Sequence, residues 1–400
     1  MVYIVVIFIL LLLTYRYDYL KKTKDKQLWY YIMLLVFILI AGLRYRIGVD
    51  SIRYESAFRF YPSLDELTVV DLTNGSHQPL YLLLSSTVRS ISEEFWVMQI
   101  FHSILVNVIV FRFFRLNTKH IFLSILLYFV FYYSSFLFEV MRESCAVCML
   151  LLGWEFVKKD KWLIFTLFIC LATLFHISAL PLFILPILRF TKIWNYLYVN
   201  KYTIIFLIIV FIVGNIIQKV FFDYIIQLNL IESVTDKANR YADSDLAGSS
   251  LNIFGITENI IRQMLFPFVS CVILRQQKAL NKNLESMLFI CFIFIVLSFN
   301  ISLAYRYNNY LYLFAIAIMS DAIYSSKIVL SKKNYLGTTS FKSWFMMIVL
   351  IAIIQVKGTY LAPIRGTNYK DYMRYYPYAN IITKEINNNR ESVFVIYSAE

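Results

Sequence analysis

Acidic side chains are scarce in this chain, with 25 Asp and Glu against 38 Lys and Arg in 400 residues. No carboxylate pair stands at metal-ligand spacing, so neither a metal nor another cofactor is expected. The apolar stretches hold almost none of these acids, whereas ion-coupled transporters keep carboxylates there. The 10 glycines form no G-x-x-x-x-G-K cradle and no G-x-S-x-G turn, and the four histidines form no H-E-x-x-H. The five cysteines lie within or beside apolar runs, which argues against a disulfide framework. Cys145 and Cys148 make a C-x-x-C inside SCAVCMLLLGW, where small apolar packing explains them better than redox or metal chemistry. No aromatic-basic RNA motif accompanies the net charge of +13, so no nucleic-acid partner is expected.

Apolar residues fill the rest. The chain is 60% hydrophobic with a mean hydropathy of +0.65, and a soluble domain is nearer half apolar. The pattern predicts an all-α, polytopic integral membrane protein, a single membrane domain over 1–400. Candidate spans are 2–15, 29–43, 95–111, 121–138, 143–157, 162–175, 177–188, 203–222, 260–274, 286–304, 308–324 and 341–357. The start lacks a basic leader and a small-residue cleavage site, so the first span is read as retained. The stretch 79–92 is short and carries Arg89, and is read as re-entrant or interfacial.

Charge orients these spans. With the N-terminus outside, the inner loops carry KKTKDK, RFFRLNTK, KKDK, RFTKIWNYLYVNK, RQQKALNK and SKKN. That satisfies the positive-inside rule, and a full crossing by 79–92 would break it. Residues 162–188 must likewise be a hairpin. Lysines then crowd the inner face, while most arginines lie on the other. That face receives the loops 44–78 and 223–259 and the tail 358–400, so both termini are expected outside a bacterial cytoplasmic membrane.

Arginine gathered there has no orienting role, and guanidinium forks hold phosphate bidentately. Loop 44–78 opens with Arg44, Arg46, Gly48, Asp50, Arg53 and Tyr54. Its alternative is an interfacial linker whose arginines reach lipid headgroups. The corner Glu139-Val-Met-Arg142-Glu143 lies between apolar helices, where charge is costly and marks a site by default. Glu139 and Arg142 are spaced i, i+3 and can pair on one helix face. His176 sits at the hairpin tip, either as a packed imidazole or as a proton acceptor. Arg306 lies among Tyr305, Tyr307 and Tyr310, as a phosphate and sugar contact or as part of an interfacial aromatic belt.

These segments carry a resemblance. The run R-x-G-x-D with a following Tyr (Arg46, Gly48, Asp50, Tyr54) resembles the first outer loop of the EpsG-type bacterial polysaccharide polymerases, a family similar in role to the Wzy O-antigen polymerases. In order follow H-Q-P-L-Y-L-L-L, M-R-E-S-C-A, F-H-I-S-A-L, Y-R-Y-N-N-Y and Y-P-Y-A-N. His77-Gln78 stands where the family has an acidic residue before the proline, and Ser144-Cys145 where small or amide residues are usual. The resemblance implies a GT-C-like helical glycosyltransferase for exopolysaccharide, capsule or O-antigen. It would use undecaprenyl-pyrophosphate-linked oligosaccharide as donor and acceptor, beside a flippase and a chain-length regulator. Asp50, Arg142 and His176 would be catalytic, and Arg44, Arg46, Gly48, Arg53, Tyr54, Glu139, Arg306, Tyr307 and Tyr310 would bind substrate. The alternatives are a flippase or transporter of lipid-linked glycan and a non-catalytic scaffold of an assembly complex.

Overall fold

A computed structural model describes residues 2–73, 78–200, 202–228, 260–331, 361, 364, 369–385 and 388–399. Among them the chain is helical with no strand. In chain order the helices are α1 (Val2–Tyr19), α2 (Lys26–Gly42), α3 (Ser51–Phe60), α4 (Val69–Thr73), α5 (Pro79–Arg89), α6 (Phe95–Asn117), α7 (Ile121–Phe138) and α8 (Met141–Val157). They continue as α9 (Trp162–Phe175), α10 (Ile177–Phe190), α11 (Thr203–Leu228), α12 (Phe266–Gln276), α13 (Lys282–Leu297), α14 (Arg306–Ser331) and α15 (Asn388–Ala399).

Among the described residues three of the expected spans, α1, α6 and α7, have the length and hydropathy to cross a membrane. Shorter apolar helices are α2, α9, α10 and Thr203–Ile216. The expected span 341–357, His77 and most of loop 223–259 lie outside the described residues. The 79–92 stretch becomes α5, whose 11 residues begin at Pro79. At about 1.5 Å per residue it is roughly 16 Å long, about half of a hydrocarbon core.

The chain divides into two compact units, Met1–Phe190 with Leu330–Glu400, and Thr191–Val329. In the first, an aromatic core surrounds Phe37, whose ring meets those of Phe111, Tyr128, Phe129 and Tyr133 at 4.8–6.2 Å between centroids. Residues 162–188 fold as a hairpin. Backbone regularity stops at His176, which is extended (φ −157, ψ 124), and Arg189 at the far end of α10 returns to Asp160 ahead of α9 at 2.9 Å. Helices α8 and α9 pack closely at Gly153, where an added Cβ would stand 2.7 Å from Phe168 Cβ.

The tail closes on the C-terminal end of α2. Arg44 and Asn380 form an antiparallel bridge. Tyr45 N donates to Ala379 O at 3.0 Å and Ile381 N to Leu43 O at 3.0 Å. Tyr378 and Tyr3 hydroxyls anchor the same segment on Ile40 O and Tyr375 O. Inside it Arg390 is buried, donating to the carbonyls of Met373 and Pro377. In the second unit, Asn281 caps α13 by accepting from Asn283 N and Leu284 N. Asn300 reaches Phe211 O of α11 at 2.9 Å.

Candidate functional site

The site begins where apolar sequence stops. Helix α2 ends at Gly42, and the chain turns through Arg44-Tyr45-Arg46-Ile47-Gly48-Val49-Asp50 before α3. Two residues of this turn lie in the left-handed region, Arg46 (φ 44) and Gly48 (φ 90). Glycine suits the second on two counts. Its φ is one that side chains rarely adopt, and a Cβ there would stand 3.0 Å from Phe138 Cβ and from Phe138 O. Gly48→Ala is expected to cost about 1–3 kcal/mol, read as a lower unfolding midpoint in detergent. An unchanged midpoint would show that the turn relaxes.

Glu139 and the tail residue Arg374 hold this turn. Val49 N donates to Glu139 Oε1 at 3.3 Å, and Gly48 N to Arg374 O at 3.0 Å. Arg374 Nη1 lies 3.1 Å and 3.2 Å from the two Glu139 oxygens, and Nη2 bonds Asp371. Burial pushes the Glu139 carboxyl above its ordinary value, and Arg374 opposes the shift. The expected Glu139–Arg142 pair therefore does not form. The helix breaks between them at Val140 (φ −106, ψ 51), so the two never share a helical face.

Arg142 turns elsewhere. It donates to Gln78 Oε1 at 2.9 Å, and its guanidinium lies over the Tyr54 ring, 5.6 Å from the centroid. Burial raises the Tyr54 phenol, partly countered by Arg142, and the charge of Asp50 bears on both Tyr54 and Glu139. Asp50 stands in the position before α3, where its carbonyl accepts from Tyr54 N at 2.9 Å and its side chain makes no capping bond. His102, fully buried on α6, pins the start of α8. Its Nε2 lies 2.7 Å from Ser144 Oγ and 3.2 Å from Met141 O.

Helix α3 presents a second face. Residues 51, 55 and 59 follow at i, i+4 and i+8, one stripe along its surface. Glu55 on that stripe accepts from Arg46 Nε at 3.1 Å and from Arg59 at 2.7 Å. Ser51, Glu55 and Arg59 line a cavity of about 800 Å³ that also takes in Arg44, Trp96 and Gln99. Arg44 does not reach out to headgroups. It is fully buried, bonded to Ala41 O, 3.6 Å from Met141 Sδ and stacked over Phe138 at 5.1 Å. Burial lowers it to about 10, so it stays charged at neutral pH.

Arg53 is exposed on a further face of α3. His176 caps the turn into α10, its Nδ1 accepting from Ser178 N at 3.2 Å. Its neighbour Phe175 packs in the same apolar cluster as Tyr54 and Met141. In the second unit Arg306 opens α14, Tyr307 stacks on Phe294 at 4.3 Å, and Tyr310 is fully buried. Among the described residues no group of acidic, His or Cys side chains is arranged to hold a metal.

The first loop, the 139–143 corner, the 176 tip and the tail thus sit in one folded unit, in the order of the motifs that carry the resemblance. A model of the EpsG family matches residues 27–380. The chain belongs to the EpsG family. No curated protein and no solved structure gives a comparable match. This EpsG protein is accordingly a membrane protein of polysaccharide biosynthesis, in a family associated with polymerase or glycosyltransferase activity. The sequence does not mark Arg374 of this EpsG site. Gln78 reads only as standing in place of the family's acidic residue, and His102 as a weaker candidate than His176, although a lone ionisable group within an apolar span is itself a signal.

Proposed function

We propose that this EpsG protein polymerises oligosaccharide repeats carried on undecaprenyl pyrophosphate, at the extracytoplasmic face of a bacterial cytoplasmic membrane. The observation that carries the reading is the Arg142–Tyr54–Gln78 cluster beside Asp50, in a chain whose family makes polysaccharide. In the proposed step the acceptor hydroxyl oxygen bonds to the anomeric carbon of the donor glycan. The bond from that carbon to the pyrophosphate oxygen breaks. The hydroxyl proton passes to a carboxylate, and the lipid pyrophosphate departs with the electron pair.

Arg142 is assigned to the leaving pyrophosphate, since fixed positive charge aimed at developing negative charge is usually the largest catalytic term. Asp50 is favoured over His176 as the base, because its charge acts on the Arg142 cluster while His176 Nδ1 is engaged in a turn. The test is a gel of surface glycan from a strain lacking the gene. A long ladder collapsing to one lipid-linked repeat, restored by the wild-type gene, is expected. Loss of that repeat from the outer face, with lipid-linked repeat trapped inside, would favour a flippase. An unchanged ladder would favour a scaffold.

A further inference from the structure

Two polar groups at the wall of the α3 cavity have no hydrogen-bond partner among the described residues. Arg44 Nε and Ser51 Oγ are buried without a hydrogen bond. The Gln99 amide stands with them on the cavity wall, only 3% exposed. Buried polar groups are ordinarily satisfied, and an orphaned one calls for an explanation. A water can satisfy one such group, but a water does not balance a charge. Arg44 is a buried cation with no carboxylate among the described residues paired to it, and buried charges are ordinarily paired. All three groups line one cavity, with Trp96 beside them, 37% exposed.

The donor set has a chemistry. A guanidinium calls for an anion. A hydroxyl and an amide supply both donor and acceptor, which suits vicinal hydroxyls. An exposed indole offers an apolar face to a sugar ring. A volume of about 800 Å³ takes several sugar units.

We propose that the α3 cavity binds an anionic sugar, with its carboxylate or phosphate on Arg44, its hydroxyls on Ser51 and Gln99, and its ring on Trp96. This rests on the polymerase reading for its biological source, which is either the sugar phosphate next to the lipid carrier or an acidic sugar of the repeat. It assigns a site on a stripe of α3 distinct from the one facing Arg142.

The test uses the full-length protein in lipid nanodiscs and saturation-transfer NMR with four probes: N-acetylglucosamine 1-phosphate, tetragalacturonate, maltotetraose and inorganic phosphate. At least one of the first two is expected to bind. Binding of the sugar phosphate points to the carrier-proximal sugar, and binding of the uronate to an acidic repeat. Trp96→Leu and Gln99→Leu should each weaken that binding at least tenfold, with the elution profile and unfolding midpoint unchanged. Three results would overturn the proposal: equal binding of maltotetraose, phosphate alone displacing the sugar probe at equal concentration, or no binding of either anionic sugar. No probe carries lipid and no polymer is made, so the two readings fail separately. A chain that binds these sugars without extending a ladder loses only the polymerase reading. One that extends a ladder without binding them loses only this one.

Discussion

Arg374→Leu is expected to lower stability by about 3–5 kcal/mol, the usual cost of removing one partner of a buried ion pair. Both side chains are largely shielded, 16% and 13% exposed. The loss would leave Glu139 buried without its cation while still accepting from Val49 N. The variant should therefore be sensitive to pH. Burial raises the folded-state carboxyl of Glu139 above its unfolded value even with Arg374 present, and removing the arginine raises it further. The folded form then binds more protons than the unfolded one, so stability falls as pH rises. The deficit should be smallest below about 4.3, the unperturbed glutamate value, and grow above it. Glu139→Leu/Arg374→Leu should be more stable than the sum of the single losses, because neither charge is left alone. Unfolding midpoints in detergent across pH measure all of this. Additive single losses with no pH dependence would mean that the pair does not hold the turn.

Arg142→Ala carries the largest expected effect on activity. Removing one preorganised charge from a transition state costs about 10²–10³ in rate. The ladder should collapse toward a single repeat while the protein remains in the membrane at wild-type amounts. Arg142→Lys keeps the charge but loses the planar fork over Tyr54, so partial recovery is expected. Gln78→Leu separates the roles. It removes the hydrogen bond that orients the guanidinium and leaves the charge, so its ladder should be intermediate. Wild-type chain lengths in Arg142→Ala would remove Arg142 from the mechanism.

The helices were legible because uninterrupted apolar sequence has few alternatives. The breaks at Glu139–Val140 and at His176 were legible for the complementary reason, since charged or imidazole side chains interrupt it. Partner choice was not legible. The acid at 139 takes an arginine 235 positions away, and nothing local to either residue marks it. The i, i+3 rule that paired Glu139 with Arg142 assumes one continuous helix, which Val140 ends. The Ser51–Glu55–Arg59 stripe was open to inspection by helical spacing. Gln99 was not, because one amide in an apolar helix has the same sequence signature whether it packs or binds.

The docked tail has a consequence for biosynthesis. Tyr378 bonds the backbone of Ile40 across 338 positions, and Tyr375 takes a bond from Tyr3 across 372. The wall at Arg44, Gly48 and Glu139 therefore stays open on one side while nearly the whole chain is still being made. Closing so long a loop is slow and comes late. A ribosome-bound intermediate with its early helices already inserted lacks the strap that sets Gly48 and Glu139. Competence should arrive abruptly, with delivery of residues 371–381, rather than grow helix by helix.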